Sequence, residues 1–160
     1  MKLDKRRRRE NKTNYNKRLI LLKGESPRLV IRKTNKYIIL QIIQSIHAQD
    51  KILYSVNTRE LLKMGWPESK KGSLKSLGAA YAAGMVLGNK AKDIKERVVA
   101  DTGLIPSTKG SRVYAAIKGI ADSGIEINYK AEMAPSKEMI EGDNSKIIND
   151  ITTKLGGKKK

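Results

Sequence analysis

Residues 28–44, RLVIRKTNKYIILQIIQ, carry the pattern of two short β-strands joined by a turn. The apolar residues on both sides of the polar turn at residues 34–36 suit a pleated, half-buried surface, and Asn35 tolerates the left-handed backbone that a tight hairpin demands. Side chains alternate across a strand, so one face is predicted to be apolar. It contains Leu29, Ile31, Ile38, Leu40 and Ile42. The opposite face is predicted to carry Arg28, Arg32, Thr34, Tyr37 and Gln41, and to lie on something anionic.

The rest of the chain alternates between helix and strand patterns. Before the hairpin, residues 14–23 predict a short helix capped by Thr13 or Asn14. After it, the predicted elements are a third strand at residues 51–57, a short helix ended by Gly65, a long helix at 73–91, a fourth strand at 94–101, and a helix that begins at Ser111. Residues 125–129 are predicted to leave the body, residues 133–142 to form a short helix, and residues 152–160 to form a basic tail.

Small residues line one side of the long helix: Gly78, Ala80, Gly84 and Gly88. A line of small residues lets two backbones approach closely, and here it predicts a helix lying against the sheet. The fourth strand follows this helix, so it is expected to join the sheet through a crossover.

The predicted fold is therefore α/β, with a mixed sheet. An N-terminal three-stranded antiparallel meander is joined by the crossover strand, the helices cover one face, and the Arg28 and Arg32 face is left open. Three regions are predicted. Residues 1–13 form a basic arm, residues 14–130 form the α/β domain, and residues 131–160 form a C-terminal extension with a basic tail.

The charge of the chain points to a polyanionic partner. The formal net charge is +18, from 34 Lys+Arg and 16 Asp+Glu, and it is concentrated in the first 36 and the last seven residues. Basic ends on a nearly balanced body are expected of a protein that wraps nucleic acid. A membrane partner is disfavoured because no apolar run reaches the roughly 18 residues of a span, and the N-terminus does not have the pattern of a secretory signal.

Catalytic and cofactor-binding patterns are missing from the sequence. There is no Cys, which excludes disulfides and Cys-ligated zinc, and the lone His47 has no predicted partner for metal binding. No phosphate-cradling glycine loop, nucleophile elbow or HExxH motif occurs. Asp93, Glu96 and Asp101 lie near the fourth strand, but basic residues interleave with them, which favours a salt-bridged surface over a metal-dependent nuclease site. No cofactor is expected.

Several basic and aromatic positions keep two interpretations at this stage. The run Arg6, Arg7, Arg8 and Arg9 belongs to a charge block that is expected to be disordered in isolation; it is either a solubilising or nuclear-import tail or an arm that becomes ordered on phosphates. Lys70 and Lys71 are either solvated or in contact with phosphates. Tyr37 either packs on the sheet or stacks on a base, and Trp66 is expected to be a buried plug.

Four segments together resemble a known family. They are RRRRENKTNYNKRLILLK, RLVIRKTNKYIILQII, the GW…GSLKSLGAAYAAG stretch and TGLIPSTKGSRVYAAIKGIADSGIEI. The family is the 5S rRNA-binding large-subunit ribosomal protein, number eighteen in bacteria and archaea and number five in eukaryotes. The likeness runs from about Lys5 to Glu141, and the length and the GW segment resemble archaeal members.

The resemblance implies a structural ribosomal protein of the cytoplasm. Its partners would be 5S rRNA, 23S rRNA and neighbouring large-subunit proteins, including the other 5S-binding protein, at the central protuberance. It places RNA contacts on the arm and on Tyr15, Lys17, Arg18, Arg28, Arg32, Asn35, Lys36, Tyr37, Gln41, Lys109, Gly110, Ser111 and Arg112. The alternatives are a basic protein that binds RNA generically outside the ribosome and the nuclease considered above.

Overall fold

A four-stranded mixed sheet organises the protein. The computed structural model describes residues 3–46 and 49–155, apart from the side chain of Asp143. The strands are β1 (Arg28–Lys33), β2 (Ile38–Ile46), β3 (Gln49–Asn57) and β4 (Val99–Asp101), in the order β3-β2-β1-β4. The first three are antiparallel neighbours, and β4 is parallel to β1. The predicted meander and crossover strand are both confirmed.

Six helices are found in the described part of the chain. They are α1 (Arg6–Arg9), α2 (Tyr15–Lys23), α3 (Leu77–Lys90), α4 (Arg112–Asp122), α5 (Lys137–Glu141) and α6 (Ser145–Lys154). Shorter 3₁₀ segments span Thr58–Met64, Glu68–Ser73, Ala131–Met133 and Gly142–Asn144. The predicted Asn14 cap is present, since its side chain accepts a hydrogen bond from the Lys17 N–H at 3.1 Å. Ser111 immediately precedes α4, as predicted, but its side chain makes no capping hydrogen bond.

The apolar face predicted for the hairpin forms the centre of the core. Its five residues, Leu29, Ile31, Ile38, Leu40 and Ile42, are each at most 1 % exposed. Helix α3 packs on this face against β2 and β3. Each fully buried side chain of this kind contributes about 1.5–3 kcal/mol, so the alternation along these two strands stabilises the fold directly. Trp66 is 2 % exposed, as expected of a buried plug.

The hairpin turn is held by a side chain and does not use a left-handed residue. The Thr34 hydroxyl donates to the Tyr37 carbonyl at 2.8 Å and accepts from the Tyr37 N–H at 3.0 Å. In the described chain the non-glycine residues with positive φ are Asn11 and Glu25. The left-handed conformation expected of Asn35 is therefore wrong, because the Thr34 hydroxyl closes a connection of four residues without it.

The small residues of α3 face other helices, which corrects the prediction that they face the sheet. A Cβ on Gly84 would lie 2.3 Å from the carbonyl oxygen of Ala116 in α4, and a Cβ on Gly119 would lie 2.3 Å from that of Tyr81 in α3. A Cβ on Gly78 would lie 2.9 Å from the carbonyl oxygen of Ile140 in α5. Helix α3 is covered by helices as well as by the sheet, and the closest backbone approach is between α3 and α4.

The C-terminal region belongs to the body over more of its length than the sequence suggested. Ile148 and Ile151 of α6 are 3 % and 1 % exposed, and α6 packs on α3. A basic tail from Thr152 is therefore wrong as far as residue 155, because helical spacing of apolar residues continues the packed layer. Residues 156–160 lie outside the described part. Residues 125–127 also stay on the body, since Ile125 is buried and Ile127 bridges to Val98.

The α3–α4 contact generates a stability prediction. We expect Gly84→Ala to destabilise the protein by about 1–3 kcal/mol, because the added methyl group must push α4 away from α3. Chemical denaturation followed by circular dichroism measures the change.

Gly72→Ala is the matched control, since a Cβ there would meet nothing within 4 Å among the described residues. Equal unfolding midpoints for the two variants would show that the helices separate without cost.

Candidate nucleic-acid interface

The sheet face opposite α3, here called the charged face, carries Arg28, Arg32 and Gln41. Strand pairing sets these positions: Arg28 is opposite Ile43, and Arg32 is opposite Ile39. The prediction that these polar side chains share one face is confirmed. The prediction that the face is open is only partly correct, because Arg28 is 4 % exposed whereas the side chain of Arg32 is 44 % exposed.

Arg28 lies in a network of hydrogen bonds and ion pairs that crosses the whole sheet. Its Nη2 donates to Ser45 Oγ and to Asp50 Oδ1, both at 2.7 Å. Its Nη1 lies 3.8 Å from Asp101 Oδ2. Asp50 belongs to β3 and Asp101 to β4, so one guanidinium connects the two edge strands. A buried charge without partners would be costly, which explains the two carboxylates. The RNA contact of Arg28 stays a prediction, because the guanidinium is paired with carboxylates of the protein itself.

The Arg32 side chain is fixed by hydrogen bonds within the protein and is also partly exposed to solvent. Its Nη1 donates to the backbone carbonyls of Ile31 and Asp101, each at 2.9 Å, and its Nη2 donates to Asp101 Oδ2 at 3.1 Å. Its Nε has no hydrogen-bond partner within the described residues. The guanidinium therefore has a fixed orientation and keeps Nε–H, together with the second N–H of Nη2, for an external ligand.

Helix α2 is attached to the charged face by two neighbouring residues. Lys17 Nζ donates to the Gly103 carbonyl at 3.3 Å, and Arg18 Nη2 lies 3.9 Å from Asp50 Oδ2. Gly103 has φ +63°, and a Cβ there would lie 3.2 Å from Arg32 Nη1. Lys17 and Arg32, which are distant in sequence, thus meet at one glycine.

Sequence reasoning missed the loop after β4 and the two acids that organise the arginines. The expectation that Asp101 forms a salt-bridged surface with the basic residues at positions 90–97 is wrong. Lys90 pairs instead with Glu60 at 2.9 Å, and Arg97 lies 3.9 Å from Glu126. The available signal was the parallel crossover: a carboxylate at the end of a strand that pairs with β1 must lie near the arginines of β1.

The tip of the hairpin and its second strand, β2, present further polar groups. Asn35 and Lys36 are exposed in the turn. Gln41 Nε2 donates to Ser55 Oγ at 3.3 Å. Tyr37 is half-buried and packs against the core, so the sheet-packing interpretation of this residue accounts for at least part of its surface.

The arginine run of the arm forms one helical turn, α1, with all four side chains exposed. This replaces the expected disorder of the block. Arg8 lies 3.4 Å from Asp4 and Arg6 lies 3.7 Å from Glu10, while Arg7 Nε donates to Thr13 Oγ1 at 2.9 Å. Exposed pairs of this kind contribute about 0–1 kcal/mol, so phosphates can replace them at little cost.

The other predicted contacts are not on the charged face. Lys70 Nζ donates to Asn144 Oδ1 at 2.9 Å beside α6, and the neighbouring Lys71 is exposed. The Gly110 N–H donates to the Met133 carbonyl at 2.9 Å. The nearby predicted residues are Lys109, which is exposed, and Ser111 and Arg112, which are partly buried. These two groups lie with the helical layer, and their RNA contacts stay predictions.

Two tyrosines with shifted pKa values, Tyr54 and Tyr81, also lie away from the charged face. A hydrogen bond from the Tyr54 hydroxyl to Asp93, at 2.5 Å, raises the pKa of Tyr54. Burial, together with the Asp122 carboxylate 2.9 Å from its hydroxyl, raises the pKa of Tyr81 well above its ordinary value. Both shifts come from structural hydrogen bonds within the body, so neither tyrosine has the lowered pKa of a base or nucleophile.

None of the helices in the described part of the chain is both long and apolar enough to cross a membrane.

The resemblance seen in the sequence is confirmed by comparison with known proteins. The model of a family described as ribosomal large subunit proteins 60S L5 and 50S L18 matches residues 1–98.

Two curated archaeal relatives agree with this match. A large ribosomal subunit protein uL18 of Korarchaeum cryptofilum is 44 % identical over 141 residues, which is 87 % of this chain and 70 % of the relative. A large ribosomal subunit protein uL18 of Methanoregula boonei is 38 % identical over 146 residues, which is 91 % of this chain and 82 % of the relative. The chain therefore belongs to the family of ribosomal large subunit proteins 60S L5 and 50S L18, and it is a structural constituent of the large ribosomal subunit.

Proposed function

We propose that the charged face and the arm bind 5S rRNA and help to attach it to 23S rRNA in the central protuberance, beside the other 5S-binding protein. The observation that carries the proposal is the placement of Arg32, whose guanidinium is fixed by Asp101 and exposed next to Lys17. Family membership supports the ribosomal setting. We further propose that the chain is non-catalytic, as its family is structural.

The chemistry of Arg32 suits a phosphate. The deep, narrow major groove of A-form RNA excludes side chains, so proteins grip its phosphates, 2′-hydroxyls and unpaired bases. The Nε–H and the free N–H of Nη2 lie along one edge of the guanidinium and match two phosphate oxygens. Because Asp101 already holds the side chain, binding costs less rotamer entropy than it would for a free arginine.

Neighbouring side chains extend the surface that RNA would occupy. Lys17 adds a second cation beside Gly103, and Lys36 adds one at the hairpin tip. Gln41 and Asn35 supply amides for base edges or ribose hydroxyls. Lys5 Nζ lies over one face of the Tyr15 ring, 5.0 Å from its centroid, so a base would stack on the opposite face, an interaction that is worth about 1–3 kcal/mol.

The first RNA-binding prediction concerns Arg32. We expect Arg32→Ala to weaken binding to a 5S rRNA transcript roughly ten-fold and to lower the slope of log affinity against log salt by about one, since one phosphate contact is lost. Electrophoretic mobility shifts at several salt concentrations measure both quantities. Arg59→Ala is the control, because Arg59 is exposed and lies outside the predicted site. If both variants bind alike, Arg32 is not in the interface.

The second prediction distinguishes the effect of the orientation of Arg32 from the effect of net charge. Asp101→Asn makes the protein more positive, yet we expect weaker 5S rRNA binding because Arg32 loses the carboxylate that orients it. Glu96→Gln removes the same charge from an exposed acid with no ion pair among the described residues, and we expect its affinity to be unchanged or slightly higher.

Filter binding at fixed salt gives the comparison, and circular dichroism verifies that both proteins fold. Tighter binding by Asp101→Asn would mean that net charge alone sets affinity.

The third prediction concerns the arm. Replacing all four residues of Arg6–Arg9 with serine should lower the salt slope by roughly three, from the loss of about four phosphate contacts at 0.7–0.9 each. We expect the preference for 5S rRNA over an unrelated RNA of equal length to remain, because the arm supplies attraction rather than specificity.

Competition between the two RNAs at about 150 mM salt, where long-range attraction is largely screened, measures this preference. Equal affinities of the unaltered protein for both RNAs would favour a generic basic RNA-binding protein.

A further inference from the structure

A cavity of about 330 Å³ lies between the arm, the start of α2 and the loop after β4. Its wall includes Arg8, Asn11, Asn14, Tyr15, Asn16 and Leu104. Sites for small ligands span about 300–1,000 Å³, so the cavity is at the small end of that range. We propose that it receives one unpaired nucleobase of the bound RNA, an inference that rests on the RNA binding proposed above.

The polar part of the wall consists of amides with free hydrogen-bonding groups. Asn14 Oδ1 is used by the Lys17 N–H at 3.1 Å, so Asn14 presents its amide N–H groups. The side chains of Asn11 and Asn16 are exposed and make no hydrogen bond within residues 3–46 and 49–155. An asparagine amide places a donor beside an acceptor, which is the pattern that pairs with two adjacent groups on the edge of a base.

The remaining wall offers flat and apolar contacts. The ring of Tyr15 is half-buried, and Leu104 is 53 % exposed although it is a large apolar residue. Unpaired bases in RNA complexes stack on aromatic side chains while their edges are hydrogen-bonded. An aromatic ring, an aliphatic side chain and several amides around one small cavity fit that ligand.

The distribution of charge around the cavity favours a base over a phosphate as the occupant. Arg8 is the one charged residue of the described wall, so the wall itself offers a single cation. A phosphate would be better served nearby, where Lys17 and Arg32 meet at Gly103. Leu104 follows Gly103 directly, so a nucleotide with its phosphate at Lys17 and Arg32 has the cavity within reach of its base.

Chemical probing of the protein bound to a 5S rRNA transcript tests the inference. We expect the unaltered protein to protect an unpaired base from reagents that modify base edges. The double variant Asn11→Gly with Asn16→Ala, in which glycine keeps the positive φ of residue 11, should restore the reactivity of that base and weaken binding roughly ten-fold, the size expected for one lost base-edge contact. Hydroxyl-radical protection of the RNA backbone should remain.

Asn128→Ala is the matched control, because Asn128 is an exposed asparagine outside the cavity; protection should be unchanged. Tyr15→Phe should also keep the protection, whereas Tyr15→Ala should lose it. A retained backbone footprint without any protected base, or a set of protected bases that is identical in the unaltered protein and the double variant, would overturn the cavity inference alone. Absence of any backbone footprint would overturn the proposed RNA binding together with it.

Discussion

The buried guanidinium of Arg28 is the contact on which the charged face depends. Desolvation of an arginine is costly unless acceptors surround it, and here Asp50 and Asp101 reach it from the two edge strands. Its Nε finds no acceptor among the described residues, so the compensation is incomplete. Because Asp101 also orients Arg32, the same network that neutralises a buried charge fixes the direction of an exposed one.

The two faces of the sheet are stabilised by different kinds of interaction. On one face, apolar side chains pack under α3 at almost zero exposure. On the other face, charged side chains form ion pairs with one another. Only the hydrogen-bond donors that these ion pairs leave unused can bind a polyanion. Net charge therefore overstates the number of cations that are available, since Arg28 is consumed internally while Arg32 keeps one edge of its guanidinium.

Helix α2 shows how a partner can complete this structure. It has nine residues, fewer than an isolated helix needs for stability in water. Leu19 and Ile20 are 54 % and 71 % exposed and no residue of α2 is fully buried, so burial stabilises it only in part, and polar contacts through Lys17 and Arg18 join it to the charged face. A ligand that binds both α2 and the sheet would stabilise the folded form by mass action.

The sequence by itself determined the local features: the alternating hairpin, the Asn14 cap, the strands of the sheet and the concentration of charge at the ends. These follow from side-chain periodicity and from backbone preferences that act within a few residues. Tertiary structure decided that Arg28 is buried, that Gly84 of α3 faces α4, and that Gly103 brings Lys17 to Arg32. Each of these depends on contacts between segments that are distant along the chain, and no periodicity encodes the distance between a carboxylate on β4 and a guanidinium on β1.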